Sequence, residues 1–419
     1  MPESIKTESA SNGVHDSKHK NASGSLDASR LEYTFTNSPR AIPGPNSPEL
    51  WAQGEATDHM ILARYDVAKG GWQVPELVPY GPLSLMPTAS TLHYATECFE
   101  GMKLYRGNDG RARLFRPERN AKRMVTSAAR VSLPEFPPDE LVKLIHALAA
   151  VDAPRWLPAD KAGGYLYVRP TFIATQPSLA VKKASEALLY VMLVCFPAFD
   201  DPAGSLGPGG NSQEKRAGLR LLASEEDMVR AWPGGFGNSK VGANYGPSIV
   251  ASAAAAAKGF DQILWLFGKE GWVTEAGACN FFAIMKERGG DRAQLITAPL
   301  EDQVILPGVT RASVLETAQE ILAGELDVVE RKFSIHELIE AVNEGRLVEC
   351  FACGTAFFIA PIGEIHYKGQ AIEVPLGEDG LAGEYAKKLR ARLGGIMHGE
   401  VQHPWGYKIE ETGPTKIKS

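Results

Sequence analysis

The stretch GGFGNSKVGANYG, residues 234 to 246, sets a single lysine, Lys240, among glycines, asparagines and other small residues. A lysine amine does covalent work on carbonyl compounds when it is shielded enough to lose its proton, because desolvation disfavours the ammonium and frees the lone pair. Gly237, Ser239, Gly242 and Ala243 leave room for a flat ligand beside it. Spacing excludes two other chemistries. A phosphate-cradling loop needs G-x-x-x-x-G-K-[ST], whereas Ser239 precedes Lys240 and Val241 follows it. A dinucleotide fingerprint needs G-x-G-x-x-G, and counting on from Gly235 and Gly237 the third glycine position holds Lys240 itself. The bland alternative is a solvated loop lysine, which is what most lysines are.

The elements that must position this segment alternate between strand and helix patterns. DHMILARYDVAKGGW (58 to 72), YLYVRPTFIAT, ALLYVMLVCF, LRLLAS, QILWLF, NFFAIM and QLITAP read as strands, and LVECFACGTAFFIAPI as late strands. DELVKLIHALAAVD (139 to 152) places Leu141, Leu144, Ile145 and Leu148 at helical spacing behind Asp139 as N-cap. Further helices are predicted from Pro247 to Lys258, ended by Gly259, and from about Thr310. The fold class is mixed, α/β or α+β. At 419 residues and 44% hydrophobic the chain is long enough for two domains. Composition places a disordered tail at 1–45, a smaller domain at 46–199, a Gly/Pro/Ser-rich connection at 200–216, a larger domain at 217–405 and a C-terminal tail at 406–419.

Charge and cysteines narrow the class. A formal net charge of −6 with no basic stripe argues against nucleic acid. The longest apolar run, ALLYVMLVCFPAF, is too short for a bilayer and is broken by Pro197. Five scattered cysteines fit reduced thiols better than a disulfide framework. Cys350 and Cys353 sit on a strand pattern that points them to opposite faces, and no histidine shows metal-ligand spacing, so no metal is expected. Glu3, Glu8 and Asp16, with no arginine before Arg30, speak against a mitochondrial presequence and for a cytoplasmic protein.

The blocks GNSKVGANYG, QILWLFG, TEAGACNFF, LPGVTR and FACGTA, in that order, with LHYATECFEGMK, RLFRPERNAKRM and YLYVRP upstream, resemble the branched-chain amino acid aminotransferases of pyridoxal-phosphate fold type IV. The resemblance spans roughly residues 50 to 405. It implies a smaller and a larger domain holding pyridoxal 5′-phosphate between them, a homodimer, and amino transfer between leucine, isoleucine or valine and 2-oxoglutarate. Lys240 would form the Schiff base with the cofactor and then move the α-proton. Glu275 would face the pyridine nitrogen and Tyr245 the ring hydroxyl. The amides of Val309 and Thr310, the Thr310 hydroxyl and Arg123 would hold the phosphate.

For substrate, the resemblance implies a side-chain pocket of Tyr94, Phe99, Tyr167 and Phe199, and a carboxylate grip at Gly354, Thr355 and Ala356. Arg169 would support Tyr94 or Tyr167 rather than touch substrate. Two departures stand out. Ala278 and Cys279 occupy places where Thr and Met are expected, so a hydroxyl near the substrate is missing. Phe357 and Ala360 stand where some mammalian members carry a Cys-x-x-Cys pair. The alternatives are a paralogue serving a specialised biosynthetic pathway, or another fold type IV enzyme such as a D-amino acid aminotransferase or aminodeoxychorismate lyase.

Overall fold

Runs of β-branched and aromatic residues build two sheets in the structure, a computed structural model that describes residues 24–45, 47–197, 218–355, 358–378 and 380–414. The first contains β1 (Glu32–Tyr33), β2 (Ala56–Asp66), β3 (Gly71–Trp72), β4 (Glu76–Pro79), β5 (Glu97–Phe99), β6 (Met102–Arg106), β7 (Ala112–Phe115), β8 (Tyr165–Ala174) and β9 (Glu186–Cys195). The second contains β10 (Leu219–Ala223), β11 (Gln262–Phe267), β12 (Trp272–Ala276), β13 (Cys279–Lys286), β14 (Ala293–Thr297), β15 (Leu326–Glu330), β16 (Leu347–Cys353), β17 (Ile359–Tyr367) and β18 (Gln370–Glu373). A last strand, β19 (Gly406–Lys408), returns to the first sheet beside β7.

The first sheet runs β1-β4-β2-β9-β8-β6-β7-β19 and the second β12-β11-β10-β17-β16-β13-β14-β15. Most neighbours are antiparallel, but β1 is parallel to β4, β10 to both β11 and β17, and β14 to β15. Two short helices, α1 (Pro48–Trp51) and α2 (Thr91–Tyr94), precede α3 (Pro117–Arg130) and α4 (Pro138–Trp156). The last two bury Met124, Leu141, Leu144 and Leu148 against Ile61, Leu104, Leu114 and Phe172 of the first sheet. On the second sheet side chains alternate, as a strand's period of two requires. Phe282 and Ile284 of β13 meet α6 (Val309–Ile321) and α8 (Glu384–Met397), while Phe281, Ala283 and Met285 meet α7 (Ile335–Asn343). The remaining long helix, α5 (Gly246–Ala257), packs Ala251 and Ala255 on Ile263 and Trp265. No helix among the described residues is long and apolar enough to cross a membrane.

Several expectations change at the element ends. The helix predicted from Asp139 begins at Pro138 behind Pro137 without a side-chain cap, because proline already has the φ a first turn needs. The expected disordered tail does not extend to 45. Within 24–45, Leu26 is buried in the first core and β1 pairs with β4, so apolar residues among the polar ones suffice to dock the segment. Residues 1–23 lie outside the described residues. The expected C-terminal tail is also partly docked: β19 pairs with β7, Ile409 is buried, and Glu411 accepts from the buried Arg106 at 2.6 Å. The connection expected at 200–216 lies outside the described residues, as does Phe199.

Candidate active site

The Lys240 segment is pinned from both sides. Its amide donates to the Ser127 hydroxyl of α3 at 2.8 Å, and its carbonyl accepts from the Phe99 amide of β5 at 3.0 Å. Asn244 closes the loop, its Nδ2 donating to the carbonyls of Phe236 and Ser239, both at 2.9 Å. Gly242 permits the close approach of β5, since a Cβ there would fall 1.8 Å from Glu97 Oε1. The lysine side chain, half-buried, enters a cavity of about 290 Å³ between the sheets. Its Nζ donates to the Tyr245 hydroxyl at 2.9 Å and lies 5.0 Å from the centre of the Phe99 ring.

An anion site opens on the same cavity. Gly308 precedes α6 and offers no capping side chain, so the first-turn amides of Val309 and Thr310 keep their hydrogens for a ligand. The helix end adds roughly half a positive charge. The Thr310 hydroxyl, expected at the phosphate, donates here to the Gly354 carbonyl at 3.0 Å. Arg123 also lines the cavity, but it is held by a partner the sequence did not suggest. Its Nε and Nη2 donate to the two oxygens of the fully buried Glu100 at 2.7 and 2.8 Å, and its Nη1 to the Pro307 carbonyl at 3.0 Å. Burial pulls the guanidinium pKa down, and Glu100 more than restores it, leaving it above the ordinary value. With five N–H donors in its fork, Arg123 retains one on each Nη.

Glu275 is the penultimate residue of β12 and is only 4% exposed. It lines a second, adjoining cavity of about 110 Å³ that shares Tyr245, Gln262, Ala278 and Leu306 with the first. The Leu306 amide donates to Oε1 at 2.8 Å, Asn280 Nδ2 reaches the same oxygen at 3.3 Å, and Arg230 Nη2 stands 3.2 Å from Oε2. Burial drives the Glu275 pKa upward, and Arg230, the Leu306 amide, Lys240 and Arg123 pull against it. The Cys279 thiol beside it is pushed up to about 12 by burial and by the Glu275 charge.

Of the substrate residues, Phe99, Tyr167, Gly354 and Thr355 line the Lys240 cavity. Tyr167 is stacked on Phe196 at 4.4 Å, and Thr355 donates to the Gly101 carbonyl at 3.2 Å. Ala356 and Phe357 lie outside the described residues. Tyr94 does not reach the cavity of its own chain. The backbone turns at Ala95, with φ +48°, and the Tyr94 hydroxyl donates to the Leu179 carbonyl on an exposed face. Arg169 supports Tyr167 but not Tyr94, lying over the rings of Phe99 and Tyr167 at 4.8 and 5.1 Å, and it lines the cavity itself. Ala278 and Cys279 line it too. Sequence reasoning gave no role to Glu100, Ser127, Arg230, Gln262 or Asn280. Glu100 and Asn280 lay within quoted blocks, and a buried-partner question asked of Arg123 and Glu275 would have pointed at them.

Two sheets with a lysine and a helix end converging between them define the class. Amino-transferase class IV matches residues 97–365, the span from β5 into β17, and the chain belongs to that family. Within it, the chain stands with the branched-chain-amino-acid aminotransferases. The mitochondrial enzyme of that name from Schizosaccharomyces pombe is 42% identical over 382 residues, 91% of this chain and 85% of the relative. The cytosolic one from Saccharomyces cerevisiae is 42% identical over 379 residues, 90% and 96% of the two chains. The solved branched-chain amino acid aminotransferase from Escherichia coli superposes with a TM-score of 0.61 at 23% identity, covering 84% of this chain and 98% of that one, and shares the fold. As a class IV aminotransferase the chain works with pyridoxal 5′-phosphate. The residues present fit it: an uncapped helix end for phosphate, a cavity lysine, and a buried carboxylate in the adjoining space.

Proposed function

We propose that this cavity moves the amino group between leucine, isoleucine or valine and 2-oxoglutarate, with glutamate as the other amino partner. Lys240 Nζ, held 2.9 Å from the Tyr245 hydroxyl in the cavity that takes the α6 N-terminus, carries the reading. The cofactor, when bound, supplies the carbonyl carbon for the amine and a ring that withdraws electrons. Lys240 Nζ takes the substrate α-proton and returns it. Tyr245 orients that amine, and Glu275 keeps the ring nitrogen protonated. The Val309 and Thr310 amides and the spare N–H groups of Arg123 hold the phosphate. Phe99 and Tyr167 form the apolar wall that a branched side chain needs, and Gly354 and Thr355 receive the α-carboxylate.

Glutamate carries a second carboxylate, which an apolar wall alone rejects. Arg169 is the cation at that wall, stacked on both aromatic rings with its Nε unpartnered. Arg169→Met is expected to raise KM for glutamate and 2-oxoglutarate about 10- to 100-fold, the worth of one charged hydrogen bond, while leaving leucine nearly unchanged. Equal losses for both substrates would remove this role. A homodimer in the cytosol completes the proposal. Leu92, Tyr94, Leu179 and Val181 form an exposed apolar group suited to a second copy, and Glu3, Glu8 and Asp16, with no arginine ahead of Arg30, favour the cytosol. Light scattering and cell fractionation test these two points.

The decisive experiment is spectroscopic. The purified protein should absorb in the visible, lose that band on borohydride reduction, and lack it in Lys240→Ala. A screen of 2-oxo acids with glutamate as donor should favour α-ketoisocaproate and its branched relatives. Turnover of aromatic or D-substrates alone would overturn the substrate assignment. Ala278 on the cavity wall makes a narrowed or shifted range the second reading that this screen resolves.

A further inference from the structure

Arg230 lies ahead of the Lys240 loop, and no local spacing joins it to the site. Its side chain is nine-tenths buried, with Nη2 3.2 Å from Glu275 Oε2 and donating to the Val304 carbonyl at 2.6 Å. From the other side the Leu306 amide holds Oε1 at 2.8 Å. Val304 and Leu306 belong to one short segment, so Arg230 grips both the carboxylate and the loop whose amide fixes the carboxylate's other oxygen. Its Nε has no hydrogen-bond partner, which leaves the guanidinium anchored by Nη2 alone.

A carboxylate in a low-dielectric site takes up a proton unless a cation opposes it. A carboxylate that keeps a ring nitrogen protonated must stay charged. Two other cations act on Glu275 across the cavity, Lys240 and Arg123, but the first faces Tyr245 and the second is closed on both oxygens of Glu100. Arg230 is the cation in contact with Glu275. We propose that Arg230 is a positioning residue: without touching cofactor or substrate, it keeps the Glu275 carboxylate charged and turned toward the cofactor's ring nitrogen. The inference rests on the aminotransferase reading and deepens it.

The groups facing Glu275 are Arg230, Lys240, Arg123, the Leu306 amide, Asn280 and the thiols of Cys279 and Cys353, while Lys240 faces Tyr245. A proton on the ring nitrogen lowers the proton affinity of the lysine-bound cofactor, so loss of a charged Glu275 should move the pH midpoint of the visible band upward. The test compares wild type, Arg230→Met, Arg230→Lys, Glu275→Gln and the double variant, all as cofactor-loaded protein. It follows the rate of cofactor loss on dialysis and the pH midpoint of the visible band.

Arg230→Met is expected to release the cofactor at least about tenfold faster and to raise the midpoint by about one unit. Arg230→Lys, which keeps the charge, should stay within about threefold of wild type. In a Glu275→Gln background, Arg230→Met should change release by less than about twofold, because the group it acts through is gone. The double variant buries neither charge and so remains a folded control should Arg230→Met misfold. An unchanged Arg230→Met protein, or an equal loss in both backgrounds, overturns the proposal and leaves the aminotransferase reading intact. A wild-type protein with no visible band overturns the aminotransferase reading itself, and this inference with it.

Discussion

Two buried arginine–carboxylate pairs flank the cavity, and they are built differently. Arg123 and Glu100 are closed on each other: two N–H groups meet two oxygens at 2.7 and 2.8 Å, and Asn120 Nδ2 adds a donor to Glu100 at 2.8 Å. Arg230 and Glu275 share one contact at 3.2 Å, with Arg230 Nε left unpartnered. A bidentate pair fixes geometry as well as charge. Closed on each other, the first pair fastens α3 to the residue after β5 and to the Pro307 loop, leaving one N–H on each Nη of Arg123 facing the cavity. Less fully paired, the second keeps a charge available at the cavity edge. The difference separates a pair whose internal geometry is closed from one joined by a single contact.

Breaking each pair should therefore read out in different quantities. Glu100→Ala leaves a cation buried without a partner, and the expected loss is about 3–5 kcal/mol of stability in denaturant unfolding. Glu275→Gln relieves burial of a charge, so its unfolding loss should be smaller than that of Glu100→Ala, although cofactor binding and turnover fall severely. Equal destabilisation by the two variants would erase the distinction. A pH series sharpens it. The Glu275 pKa is raised above its ordinary value of 4.5, so between that pH and the raised value the folded protein holds more protons than the unfolded chain. Stability of the cofactor-free protein must then fall as pH rises through this window, and Glu275→Gln should flatten that part of the slope.

A smaller effect is expected at the hinge between the pairs. Gly308 follows Pro307, which accepts from Arg123, and a Cβ on it would fall 2.1 Å from Asn280 Oδ1. Gly308→Ala should push Asn280 away from Glu275 and the Leu306 carbonyl while sparing Glu100, at a cost of about 1–3 kcal/mol. Cofactor affinity should fall along with stability. A protein that tolerates alanine there with unchanged affinity would show that Asn280 is dispensable to the Glu275 side.

The contrast between the pairs was not legible in the sequence, and the reason is physical. Lys240 with Tyr245, and Val309 with Thr310, are neighbours in the chain, so residue types and spacing pointed to their chemistry. Glu100 meets Arg123, and Arg230 meets Glu275, only because sheets, helices and loops dock. No periodicity encodes such a pairing. The strands were readable for the opposite reason: β13 carries a continuous apolar run, Phe281 to Met285, because helices cover both faces of its sheet. At the ends of the chain, composition overrode the smaller signal of Leu26 and Ile409, each buried in the first core. Tyr94 lies outside its own chain's cavity, which the block alone did not show. The residue matches, but the turn at Ala95 directs it away from its own chain's cavity.

The finest test uses thiols as reporters of the two carboxylates. Cys98 lies against Glu100 and is fully buried, so it should resist alkylation whatever happens to charge. Cys279 lines the cavity, and its pKa near 12 owes part of its rise to Glu275. Against an ordinary thiol, that value lowers the thiolate fraction at neutral pH about a thousandfold, so iodoacetamide should label wild-type cofactor-free protein slowly at this site. Glu275→Gln removes the neighbouring charge and should speed labelling severalfold. Arg230→Met then discriminates. If Arg230 holds Glu275 charged, its loss lets the carboxylate take a proton, and Cys279 should react faster, as in Glu275→Gln. If Glu275 stays charged without it, the thiol faces a carboxylate with less cation beside it and should react more slowly than in wild type. The sign of that change, read by mass spectrometry of the labelled peptide, decides whether Arg230 holds Glu275 charged.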